Sequence, residues 1–304
     1  MSRGIYITVN DKVTEQTLAF MNSLRFYDPH VPVVLIPYDE DYQKIAQILG
    51  EKYAVTVYPN LALVEQLSQK IFNIFGSNLL ARPNQFRKQA CWFGNFERFL
   101  YIDTDIIVFE KIINNLKYLD YYDFLCCDYQ HRGGITNVFS PIVIENDIFS
   151  KEELQDIFNG GFWASKKGIF TEESLFTAFA ECAKHLEYFD FSQKTSDQPI
   201  INYTILKRVP KRLNLVRTEG NSAGNWAGSP NFKRDGDILK DIKSNLPLKY
   251  LHWAGIRIEP GCPYWDIWKH YRYLGDPNPP EDMIGPTQPQ WQRFLNKAFA
   301  FVRR

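Results

Sequence analysis

Phe99-Leu100-Tyr101-Ile102-Asp103-Thr104-Asp105-Ile106-Ile107-Val108 is the stretch on which the fold turns. A continuous apolar, β-branched run of this length reads as a strand buried on both faces, yet it carries two carboxylates. An unpaired charge in such a place is costly, so the pair belongs at the strand's end or against a cation. Residues i and i+2 of a strand share a face, which lets both carboxylates approach one ion, and hard oxygen ligands favour Mg²⁺ or Mn²⁺. A metal held this way commonly bridges a diphosphate and neutralises a departing phosphate. A bare Asp-x-Asp also ends strands as a solvated turn; the apolar residues on both sides here favour the metal site.

Working outward towards the N-terminus, Ile5–Val9 alternates and predicts a first strand, followed by a helix with Val13, Thr17, Leu18, Met21 and Leu24 on one face. Val33–Ile36, between Pro32 and Pro37, predicts a second buried strand. Asp39–Leu49 predicts a helix, Ala54–Val57 a third strand and residues 61 to 79 another helix. Such a β-α-β-α-β opening argues for a mostly parallel central sheet flanked by helices, an α/β architecture of the nucleotide-binding kind. Thr8 and Asn10 then fall at the carboxyl edge of the first strand, where a nucleotide base would lie, and Asp11 either joins them or caps the next helix.

Towards the C-terminus, Asp120–Asp128 predicts a further strand, and residues 171 to 187 a helix carrying Leu175, Phe176, Phe179, Cys182 and Leu186. In Asn159-Gly160-Gly161 the glycines permit close backbone approach to a ligand. Asp197 is able to hydrogen-bond sugar hydroxyls or to cap the helical run Ile200–Leu206. Residues 217 to 236, rich in Gly, Asn, Ser and charge, predict a mobile loop of the lid kind, and residues 256 to 290 an irregular segment. Trp226, Trp253, Tyr264 and Trp265 are candidate sugar platforms, with plain packing the alternative for each. The last stretch places Trp291, Phe294, Leu295, Ala298 and Val302 on one face. Its basic flank suits an anionic membrane surface as a peripheral contact, but so narrow a stripe favours packing back on the domain.

Composition narrows the classes. The 304 residues suffice for one large α/β domain or two small ones. Lys and Arg together number 35, as do Asp and Glu, which excludes the basic excess of a dedicated nucleic-acid binder. The five cysteines, odd in number and without a C-x-x-C pair, predict reduced thiols and a cytoplasmic protein. The opening strand is too short for a signal sequence, and no run approaches the ~20 apolar residues of a membrane-spanning helix.

Residues 99–108 resemble the metal-binding strand of GT-A glycosyltransferases, above all the glycogenin-like and galactosyltransferase-like enzymes of family 8. Further elements follow in that family's order. Phe158-Asn159-Gly160-Gly161-Phe162 resembles its Asn-Ala-Gly segment against the donor sugar, Ser196-Asp197-Gln198-Pro199 its Asp-Gln pair, and Leu251-His252-Trp253-Ala254-Gly255 its late His-x-x-Gly element. Arg87-Lys88 sits where the family places a cation on the donor. Two departures stand out: Gly160 replaces the usual Ala, and Ile256-Arg257-Ile258-Glu259 replaces the family's Lys-Pro-Trp, leaving Arg257 to take the place of its lysine.

The resemblance implies a GT-A nucleotide-diphospho-sugar transferase fold over residues 1–255, with residues 256–304 as an extension packed on it. It implies a metal, Mn²⁺ or Mg²⁺, held by Asp103, Asp105 and His252; the imidazole favours Mn²⁺. Thr8, Asn10, Lys88, Asp103, Gly160, Gly161, Gln198, Gly255 and Arg257 are then expected around the donor, with Asn159 and Asp197 orienting the sugar. His30, His131, His185 and His270 carry no matching pattern. The implied reaction moves a sugar from a nucleotide-diphosphate donor, UDP-linked and with retention, to the hydroxyl of a carbohydrate or other acceptor. A sugar-phosphate nucleotidyltransferase is the rival enzyme, but Asn10-Asp11-Lys12 lacks the Gly-rich basic loop of that class; a non-catalytic nucleotide-sugar-binding protein of the same fold is the other alternative.

Overall fold

The structure, a computed structural model, describes residues 2–79, 81–128, 134–191, 196–218 and 224–276. In chain order its elements are β1 (Arg3–Val9), α1 (Thr14–Tyr27), β2 (Val33–Pro37), α2 (Gln43–Tyr53), β3 (Thr56–Val57), α3 (Leu61–Phe75), a 3₁₀ stretch (Pro83–Phe93), β4 (Arg98–Ile102), β5 (Ile106–Val108), β6 (Phe124–Cys126) and α4 (Ile142–Glu145). There follow β7 (Phe162–Lys166), α5 (Glu172–Lys184), α6 (Gln198–Arg208), β8 (Arg212–Asn214), β9 (Phe232–Asp235), β10 (Ile238–Asp241), β11 (Tyr250–His252) and α7 (Trp265–Arg272). They group into two compact units, Met1–Lys12 with His30–Asp103 and Ile113–Ser222, and Val13–Pro29 with Thr104–Ile112 and Ala223–Arg304.

The first unit is built on a seven-stranded sheet of order β3-β2-β1-β4-β7-β6-β8. β1 pairs in parallel with β2 and β4, whereas β7 runs antiparallel between β4 and β6. Ile5, Tyr6, Ile7 and Val9 are at most 1% exposed, as the both-faces-buried reading of β1 requires. The topology positions the site. The carboxyl ends of the parallel strands bring Thr8, Asn10, Asp103 and Asp128 to one edge, and antiparallel β7 starts at that same edge. Register joins Ile102 of β4 to Phe162 of β7, and the Asp103 amide donates to the Gly161 carbonyl at 2.8 Å.

Trp163 lies at the centre of this unit's core, with its ring stacked on Trp92 (5.1 Å), Tyr101 (5.3 Å) and Phe124 (5.9 Å). The aromatic surplus of the chain is thus largely a core device in this unit. The Asp11 carboxylate accepts from the Ile45 amide in the first turn of α2, at 2.9 Å.

The second unit holds α1, α7, the β5–β11 pair and the β9–β10 hairpin. Thr17 to Leu24 of α1 are buried without interruption, so the helix is enclosed on all sides, not on one face. Its Asn22 amide donates to the carbonyls of Tyr271 (2.9 Å) and Arg272 (3.0 Å), satisfying the otherwise unpaired end of α7. Three sequence expectations change here. The run 99–108 is two strands in two different sheets, because the chain bends at Asp103-Thr104-Asp105. The presumed irregular segment 256–290 contains α7, and the loop 217–236 contains β9 with its hairpin partner β10. Trp291–Val302 lies outside the described residues.

Candidate active site

In the first unit Lys88 and Asp197 form a buried ion pair at 2.9 Å, both side chains under 10% exposed. The Lys88 ammonium also donates to the Gly160 carbonyl at 3.3 Å and lies 5.1 Å from the centre of the Tyr101 ring. Burial pulls the Lys88 pKa down, but the carboxylates of Asp197 and Asp103 outweigh it and hold the ammonium above its ordinary value. Burial raises Asp197, and Lys88 offsets this only in part. Asp197 stands at the N-cap of α6 without capping it: no hydrogen bond runs from its side chain to the helix, because the carboxylate is turned to Lys88. A cation fixed by a buried acid beside Asp103 is suited to meeting an anionic ligand.

The glycine run is held around this pair. The Asn159 amide donates to the Asp128 carboxylate, the Gly160 amide to Gln198 Oε1 (3.4 Å) and the Gly161 amide to Asn159 Oδ1 (2.9 Å). A Cβ on Gly160 would meet Lys88 Nζ at 3.6 Å, an ordinary contact, so the glycine where the resemblance has alanine does not disturb the site. Of the neighbouring basic pair only Lys88 takes part; Arg87 pairs with Glu40 at 2.8 Å. The Asn10 amide is engaged with Asp39 at 2.7 Å, and Thr8 is half-buried at the end of β1.

Tyr101 joins the site without having been singled out by the sequence. Its hydroxyl donates to Asp103 Oδ1 at 2.5 Å, and burial, reinforced by the Asp103 charge, pushes its pKa well above the ordinary tyrosine value. The hydroxyl is therefore a fixed donor at neutral pH. The signal was available: Tyr101 and Asp103 are two residues apart at a strand end and so share a face. Asp128, which ends β6 as Asp103 ends β4, was the other residue within reach of that reading.

In the second unit β11 pairs antiparallel with β5, opposing His252 to Ile106. This brings His252 Nε2 to 3.1 Å from Asp105 Oδ1, with the imidazole 5% exposed and the carboxylate 29%. The Trp253 amide donates to the Asp105 carbonyl at 3.0 Å, and the His252 amide to the Asn225 carbonyl at 2.7 Å, so both backbones are pinned. Gly255 has a φ of +72°, a conformation that excludes most other residues. Arg257 does not join this group: its side chain is 86% exposed and pairs with Glu259 at 3.0 Å.

Asp103, two residues from Asp105 across the bend, completes the group. One ligand atom from each of Asp103, Asp105 and His252 lies within 4.8 Å of the others. The two carboxylates therefore approach one another across a bend, not along one face of a continuous strand. Two carboxylate oxygens and one imidazole nitrogen suit a divalent ion. Among the described residues no helix is long and apolar enough to cross a membrane, and none of the five cysteines forms a disulfide.

Solved structures share this fold. A mutant of LgtC aligns with a TM-score of 0.58 at 13% identity, over 93% of this chain and 99% of that one. LgtC with donor and acceptor sugar analogs, described as a galactosyltransferase, aligns at 0.55 and 12%, over 96% and 99%. The bifunctional glycosyltransferase WbbM gives 0.56 and 14% over 97% of this chain, which spans 51% of WbbM's length. These are GT-A glycosyltransferases, and LgtC belongs to family 8, in keeping with the resemblance. No curated protein matches the sequence. The Mannosyl_trans3 family model, of mannosyltransferases, matches residues 2–159 of the 304. That span ends on the Asn159 segment and includes β1, Lys88 and the Asp-Thr-Asp bend. The chain belongs to this family of mannosyltransferases, and it is a glycosyltransferase of the GT-A fold.

Proposed function

We propose that the protein transfers a hexose from a nucleotide-diphosphate-sugar donor to an acceptor hydroxyl, assisted by a divalent metal at Asp103, Asp105 and His252. The observation that carries this reading is the convergence of those three ligand atoms within 4.8 Å. A bound Mn²⁺ or Mg²⁺ there would supply neutralising charge to the diphosphate as the sugar leaves. Asp103 and Asp105 offer oxygens and His252 an imidazole nitrogen. Tyr101 keeps the Asp103 carboxylate from rotating.

Lys88, held by Asp197, adds a fixed positive charge beside Asp103 that favours the departing diphosphate over the intact donor. Asp197, Asn159 and the amides around Gly160 orient the donor sugar, Thr8 and Asn10 flank the base, and Gln198 and Gly255 shape the surroundings. The family-8 resemblance favours a UDP donor and retention at the anomeric carbon, whereas the family description names mannose as the sugar.

The test is a thermal-stability screen of UDP- and GDP-linked hexoses with and without Mn²⁺, since a ligand that binds only the folded chain raises its stability. One donor is expected to stabilise the wild type in the presence of metal and to be turned over. Asp105→Ala should fold normally and lose both effects. An Asp105→Ala variant that keeps metal-dependent donor binding would sink the scheme.

A further inference from the structure

Four aromatic residues of the second unit were candidate sugar platforms, and their surroundings now separate them. Trp253 is fully buried, with its indole N–H donated to the Pro263 carbonyl at 2.9 Å. Trp265 is stacked on Trp268 at 4.7 Å and is only 8% exposed. The Tyr264 hydroxyl is spent on the Ser229 carbonyl. Trp226 alone of the four is exposed, at 36%.

Its exposure is not that of a loose surface side chain. The indole Nε1 donates to the Ala254 carbonyl at 3.1 Å, so the polar atom of the ring is already satisfied and what remains in solvent is apolar. A Cβ at position 228 would overlap the six-membered ring, so Gly228 provides the space in which the indole lies. The backbone is fixed as well: Trp226 bridges His252 in parallel, and the Ala227 amide donates to the His252 carbonyl at 2.8 Å. A large, rigid apolar surface is therefore held next to a residue of the metal-ligand group, with little side-chain freedom left to lose on binding.

We propose that Trp226 is the platform for the acceptor: the apolar C–H face of a pyranose ring packs on the indole beside His252. This inference rests on the sugar-transfer reading for its biological sense. The donor side chains of that reading, Thr8, Asn10, Lys88, Asn159 to Gly161 and Gln198, all belong to the seven-stranded unit, whereas Trp226 belongs to the unit of Asp105 and His252. An aromatic face discriminates between sugars by the side of the ring that is free of axial hydroxyls, so this residue would also set acceptor preference.

Saturation-transfer NMR with methyl α-mannopyranoside and methyl β-galactopyranoside tests it on wild type, Trp226→Ala and Trp226→Phe. The wild type should transfer saturation to the ring C–H protons of at least one glycoside. Trp226→Ala should weaken that binding about tenfold, near the upper end for a single aromatic contact, and Trp226→Phe should keep most of it. Mn²⁺-dependent binding of nucleotide diphosphate, measured by calorimetry on the same samples, should be equal in all three. The inference fails if Trp226→Ala binds the glycosides as the wild type does, if the wild type binds neither, or if nucleotide binding falls by the same factor as glycoside binding. Wild-type protein that binds a glycoside but no nucleotide would instead count against the sugar-transfer reading while leaving the platform in place.

Discussion

At the scale of single residues, the site depends on groups that fix other groups. The short hydrogen bond from Tyr101 to Asp103 removes one rotational freedom from a carboxylate that we propose as a metal ligand, and such supporting contacts typically matter by about 10–100-fold in metal affinity. Tyr101→Phe keeps the ring, its stacking on Trp163 and its contact with Lys88, and loses only the donor. Its Mn²⁺ activation constant is expected to rise by about tenfold with a small change in melting temperature. A purely structural role would lower the melting temperature and leave the metal constant where it was.

Lys88→Met makes a different point. It strands Asp197 as a buried, unpaired acid, which costs about 3–5 kcal/mol, and donor turnover should fall with it. Without the ammonium, burial acts unopposed on Asp197 and its folded-state pKa rises further above the unfolded value. A group with a raised folded pKa contributes stability that is present below the unfolded pKa and is lost as pH rises through the folded one. The urea midpoint of Lys88→Met should therefore decline from about pH 4 towards neutrality more steeply than that of the wild type. The double variant Lys88→Met/Asp197→Leu should regain stability without regaining activity, which urea titration and a turnover assay on the same preparation would separate.

At the scale of elements, burial pattern and turn chemistry made the first three strands, α3 and α5 readable, because each writes one period into the chain. Boundaries moved where capping came from elsewhere in the sequence: α2 starts at Gln43, not Asp39, with Asp11 supplying an acceptor to its first turn. The 3₁₀ stretch Pro83–Phe93, which delivers Lys88, carries no lasting apolar period and was not legible. It meets β4 through Gly94, where any Cβ would overlap the Tyr6 hydroxyl on β1. Gly94→Ala should therefore destabilise by about 1–3 kcal/mol through overpacking, as read by chemical denaturation. The companion variant Gly94→Ala/Tyr6→Phe should recover part of that loss.

At the scale of the whole molecule, equal numbers of acidic and basic residues leave the chain with no net charge at pH 7. Solubility should accordingly pass through a minimum near pH 7 and improve on either side, since net charge keeps protein molecules apart; precipitation across a pH series measures it. Lys88, buried and paired with Asp197, is not part of a general basic surface.

The chain's order of residues was enough to determine the class of fold and to single out the acidic pair, whereas the late histidine and the Asn-Gly-Gly and Asp-Gln segments were singled out by the resemblance to family 8. The fold class and the acidic pair are local facts: strand and helix periods, and residue types whose burial has to be compensated. Tertiary structure alone decided that the run 99–108 breaks into two strands, that Asp197 pairs with Lys88 and does not cap α6, that Arg257 pairs with Glu259, and that Trp226 is the exposed aromatic of its group. The reason is physical. Which of several available partners a charged or aromatic side chain takes depends on what packing brings within about 3–4 Å of it, and residues distant in sequence settle that only once the chain has folded.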